Sequence, residues 1–106
     1  MTRPLLTGGL AALIHALAKR AGTRPIVEAV DSAPWSSITF TGARHRFTLR
    51  FEGDDPAGAA YAVTDGLDYA EFDLGTYIVV DIVVVETVAG DDRVRIALEA
   101  LILAND

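Results

Sequence analysis

YIVVDIVVVETVAGDDRVRIALEALIL, residues 77–103, decides the fold. Between Ile78 and Val85 every residue except Asp81 is a β-branched apolar one. Branching at Cβ restricts χ1 and packs well on a pleated surface, so the run predicts a strand. Ala89-Gly90-Asp91-Asp92 is turn chemistry, and after it Val94, Ile96, Leu98, Ala100 and Ile102 alternate with Arg95, Ala97, Glu99, Leu101 and Leu103. Two such runs around a turn predict a long β-hairpin. A register with Val88 opposite Arg93 sets Glu86 against Arg95, Ile82 against Glu99, Val85 against Ile96 and Val83 against Leu98, so that charged and apolar pairs agree.

Each arm spans about 11 residues, or roughly 36 Å at strand rise. A domain of this size is only about 33 Å across, so the hairpin crosses the whole molecule. One face is expected to carry Val79, Val83, Val85, Leu98 and Ile102. The other is expected to carry Ile78, Val80, Ile82, Val84, Leu101 and Leu103. A sheet wetted on one side should show polar residues along all of that side. This hairpin does not. The second set is therefore the expected self-association surface, with a homodimer as its simplest form.

Working outward, Leu6, Leu10, Leu13 and Leu17 recur at helical spacing with Ile14 beside them. That stripe predicts an amphipathic first helix closed by Lys19, Arg20, Gly22 and Pro25, with His15 on its wet side. Arg3 and the apolar run after it mimic a secretion signal, but Pro4, Gly8, Gly9 and His15 interrupt the run, and a core helix is the expectation. Ile26–Val30 predicts a short strand stopped at Asp31-Ser32-Ala33-Pro34. Ile38–Thr41 and Arg46–Phe51 then predict a hairpin turning at Gly42-Ala43. Asp54 or Asp55 before Pro56 predicts the cap of a second, alanine-rich helix ending near Gly66. The expected fold is a two-layer α+β single domain, residues 1–106, with a mainly antiparallel sheet in the order α-β-β-β-α-β-β.

Composition narrows function by exclusion. The 106 residues include no cysteine, which removes disulfides and thiolate metal sites and points to a cytoplasmic setting. The net charge of −6 argues against nucleic acid and anionic membranes. Lys19 is the only lysine among abundant Ala, Gly, Val and Asp, a bias that suggests a bacterial source. No phosphate-binding glycine loop, paired-histidine zinc motif or nucleophile elbow is present, so neither cofactor nor metal is expected.

Two constellations could carry chemistry. Asp81 interrupts the apolar strand, and a carboxylate there needs a cationic or hydrogen-bonding partner. His45 projects from the apolar side of the earlier hairpin and could supply one, giving a candidate acid/base pair. A satisfied polar contact is the bland alternative. Arg44, Arg46 and Arg50 share a strand face and could grip an anion or acidic partner through forked donors; a solvated, ion-paired face is the alternative. The acidic stretch of Glu52, Asp54, Asp55, Asp65, Asp68, Glu71 and Asp73 lacks calcium-loop spacing. Trp35 reads as a loop anchor. The expected function is a non-catalytic, self-associating bacterial interaction or binding module whose small-molecule or protein ligand is unknown. A small acid/base enzyme or ligand-binding protein using His45 and Asp81, and an acidic-partner module using the arginines, are the alternatives.

Overall fold

The computed structural model describes residues 8–104. Helix α1 spans Gly8–Ala21, strands β1 and β2 span Ile26–Ser36 and Thr41–Phe51, and helix α2 spans Pro56–Thr64. A single 3-10 turn, Leu67–Tyr69, leads to strands β3 (Tyr77–Ala89) and β4 (Val94–Ala104). All pairings are antiparallel, and the strands lie in the order β1-β2-β4-β3. The class, the antiparallel sheet and the C-terminal hairpin are as the residues predict.

The strand count differs. Ile26–Val30 and the presumed turn after it form one 11-residue strand, β1, which runs on through Pro34 to Ser36. Proline is excluded from central strands because it cannot donate to a ladder, but it is tolerated on an edge. β1 is an edge strand. The turn is accordingly Ser37–Phe40 rather than Gly42-Ala43, closed by the Ser37 amide donating to the Phe40 carbonyl at 2.8 Å. Ile38 sits at its tip, fully exposed. The sheet thus has four strands in the order α-β-β-α-β-β.

Both helices pack on one side of the sheet. Leu10, Leu13, Ile14 and Leu17 of α1 and Ala59, Ala60 and Val63 of α2 join Phe47, Leu49, Phe51, Ile96, Leu98 and Ile102 in one core. Gly9 marks the closest approach of α1 to the sheet, since a Cβ there would come within 2.7 Å of Ile102 Cγ2 and 3.0 Å of the Tyr77 ring. Asp55 caps α2 by accepting from the Gly58 amide at 3.0 Å, and Pro56 opens its first turn. Gly22 ends α1 in the left-handed conformation its position calls for. The molecule is a slab of 47 × 34 × 21 Å, two layers thick.

The β3–β4 register is corrected by two bulges. Val79 faces Ile102, as the expected register requires when continued to the open end of the hairpin. The register then slips by one at Val80 and again at Val85, so that Ile82 opposes Ala100, Val84 opposes Leu98 and Glu86 opposes Ala97. Each bulge adds an unpaired residue and reverses the faces beyond it. Ile82 therefore points into the core and is buried, and Val84 shares that inner face, so neither belongs with Ile78, Leu101 and Leu103.

Candidate interaction surface

With both helices on one side, the opposite face of the sheet carries no covering element among the described residues. Register places on it Trp35, Gly42, Leu103 and Ile78 in one row across the four strands, and Arg44, Leu101 and Asp81 in the next. Arg46, Glu99 and Val83 follow, then Thr48, Ala97 and Glu86, then Arg50, Arg95 and Val88. Leu101 and Leu103 are nearly buried even without a helix above them. Gly42 makes part of this possible: a Cβ there would run into the Ile102 carbonyl oxygen and come within 2.8 Å of Leu103 Cα. Trp35, directly across from Gly42 and half-buried, flanks that notch.

Charge on this face gathers on β1, β2 and β4. Glu28 accepts from Arg95 Nε at 2.7 Å and from Arg50 Nη1 at 3.0 Å, tying three strands together. The hydrogen bond from Arg95 and the charges of Arg95 and Arg50 hold the Glu28 carboxyl below its ordinary range, against the opposing effect of burial. Arg44 lies 3.7 Å from Asp81 and 3.5 Å from Glu99. The partner that Asp81 needs is thus a guanidinium, not an imidazole.

β3 is the apolar remainder. Ile78, Val80, Val83, Val84, Val85 and Val88 are each between 38% and 51% exposed, over half of the exposed large hydrophobic residues among the described residues. The strand has only Asp81 and Glu86 as charges, so apolar residues stand on both of its faces: Val84 on the helix side, Ile78 and Val88 on the other, and Val83 turned to that other side by the first bulge.

The structure does not bring His45 and Asp81 together. His45 opposes Ala100 on the helix side of β2, whereas Asp81 opposes Leu101 on the other face of β3, with β4 between them. His45 Nδ1 instead meets Ser32 Oγ at 2.7 Å, and burial pushes its pKa down. Arg44, Arg46 and Arg50 do share one face, but Arg44 is held by Asp81 and Glu99, and Arg50 by Glu28 with Glu52 at 3.4 Å. Of these three, only Arg46 has no ion-pair partner among the described residues. One guanidinium does not make an anion clamp.

Two open depressions lie among the described residues away from these side chains. One is lined by Glu52, Asp54 and Asp55 beside the start of α2, and the other by Leu67, Asp68, Tyr69, Val83 and Val84. Neither includes His45, Asp81 or the arginines. No group of three metal-ligating side chains is found among the described residues. No described helix is long and apolar enough to cross a membrane. Comparison with protein-family models, curated proteins and solved structures finds no match to this chain.

Sequence reasoning missed Trp35, Val83, Val85 and Val88 as parts of the exposed surface. Nearly every residue from Ile78 to Val85 is apolar, so β3 offers no alternation from which its outward residues could be read.

Proposed function

We propose that the chain is a non-catalytic, self-associating interaction module that works through the uncovered face of its sheet. The observation that carries the reading is the one-sided placement of both helices, which leaves the apolar flank of β3 exposed among the described residues. Monomeric proteins rarely expose contiguous apolar patches beyond a few hundred Å². Ile78, Val80, Val83 and Val88, with Leu101 and Leu103 beneath them, form the surface that a second copy covers, most simply about a two-fold axis. The surrounding ion pairs support a specific docking rather than a smear of contacts, because misplaced like charges oppose other alignments. The cysteine-free composition and the arginine-over-lysine bias support a bacterial cytoplasmic setting.

The test is the mass of the particle in solution. Size-exclusion chromatography with light scattering should give twice the chain mass at tens of micromolar, and Val83→Lys with Val88→Lys should return a folded monomer. Both positions are about half exposed, so the substitutions leave the core intact. A wild-type chain that runs as a monomer at a millimolar would sink the reading.

A further inference from the structure

The free edge of β3 differs from the free edge of β1. β1 is blunted by Pro34, a residue that cannot donate to an added strand. β3 carries neither proline, lysine nor arginine from Tyr77 to Ala89. Its bulges break the edge into short regular stretches, and the middle one, Asp81–Val84, runs beside a depression of about 420 Å³ walled by Leu67, Tyr69, Val83 and Val84. Tyr69 stands there with 91% of its surface exposed, which is unusual for an aromatic that has a core within reach. The chain around it supplies carboxylates only, the cations nearby being Arg20, engaged by the Val63 and Asp65 carbonyls, and Arg44, 3.7 Å from Asp81. From Asp65 to Ala89 the chain holds Asp65, Asp68, Glu71, Asp73, Asp81 and Glu86 and not a single cation.

We infer that this edge receives a short extended segment of a partner protein in which apolar and basic residues alternate, added to the sheet as a fifth strand. Outward-facing amides and carbonyls of Asp81–Val84 supply the ladder, the depression takes alternate apolar side chains, and the basic residues meet Asp68 and Glu86. A second copy of this edge is the poorer occupant, because it would set Asp68, Asp81 and Glu86 against their own images. The inference goes beyond self-association, which uses the face of the sheet and not its edge.

Fluorescence anisotropy with a labelled nine-residue peptide of alternating lysine and valine tests it on the full chain. The peptide should bind, and its glutamate–valine counterpart should bind at least tenfold more weakly. Methylating the alternate backbone nitrogens along one edge of the lysine peptide should cost at least tenfold, while methylating those along the other edge should change little. Tyr69→Ser and Glu86→Lys should each weaken binding severalfold; Asp54→Asn, in the other acidic depression, should not. Equal binding by the two methylated forms would reduce the effect to charge attraction and overturn the proposal. So would no binding of the lysine peptide, or a dimer in solution that Tyr69→Ser dissociates, which would seat a second copy on the edge. Loss of the dimer through Val88→Lys, at a position outside the depression, should leave peptide binding standing, so the two readings fail separately.

Discussion

Arg20 closes α1, yet its guanidinium serves α2: Nη2 donates to the Val63 carbonyl at 3.3 Å and to the Asp65 carbonyl at 2.7 Å. The last carbonyls of a helix have no partner within it, and a cation there also suits the macrodipole. Arg20→Met keeps much of the stem and removes the donors, so urea unfolding should show a loss of about 1–3 kcal/mol with an unchanged m-value. Glu28 gives a pH signature. Its folded pKa lies below the ordinary value of 4.5, so its contribution to stability is complete above that value and is lost as pH falls through the lower folded pKa. Glu28→Gln should flatten the acid limb of the stability curve as pH falls below 4.5. An unaltered limb would show that the Arg50–Glu28–Arg95 tie contributes nothing measurable. For His45 the folded pKa is also lowered, here by burial, so stability present above its ordinary value of 6.5 declines as pH falls below it. The imidazole of His45 should titrate by NMR at a lower pH in the folded chain than in urea.

Among the elements, β2 tests how close approach is achieved. Glycine weakens a strand, so replacement by alanine within one usually stabilises it. At Gly42 the sign should reverse, because the added methyl meets backbone of β4, the Ile102 carbonyl and Leu103 Cα, rather than a flexible tip. Gly42→Ala should lower stability by about 1–3 kcal/mol, the scale of overpacking. A neutral or stabilising result in thermal melts would mean the two strands yield more easily than their geometry suggests. The same elements show what the sequence exposes and what it conceals. α1 was legible because Leu10, Leu13, Ile14 and Leu17 repeat at helical spacing and all four are buried. The inner face of β2 was legible because Phe47, Leu49 and Phe51 alternate with polar residues. β1 was not, because Asp31, Ser32 and Pro34 are turn formers that an edge strand also accepts. β3 hid its register for the opposite reason: nearly every residue from Ile78 to Val85 is apolar and branched, so no alternation exists for a bulge to disturb. That one obscurity also misplaced the site, putting Asp81 with His45 and Ile82 on the surface.

At the scale of the whole molecule, the excess of apolar residues, 51% of the chain, becomes intelligible as geometry. A slab only 21 Å thick has room for a sheet and one layer of helices, so among the described residues no helix covers the second broad side of the sheet. If a second copy covers it, folding and association are linked, and the native state gains free energy from mass action while the unfolded chain does not. Each tenfold rise in chain concentration should then add about 1.4 kcal/mol per dimer, which for a particle of two chains raises the melting temperature by a few degrees. The Val83→Lys, Val88→Lys chain should melt at one temperature whatever its concentration, and should meet the wild type only at the dilute end of the series. Calorimetry over a hundredfold range makes the comparison. A wild-type melting temperature that does not move with concentration, beside an intact light-scattering dimer, would show that the unfolded chains stay associated and that the contact does not depend on the folded sheet face, which would sink the reading.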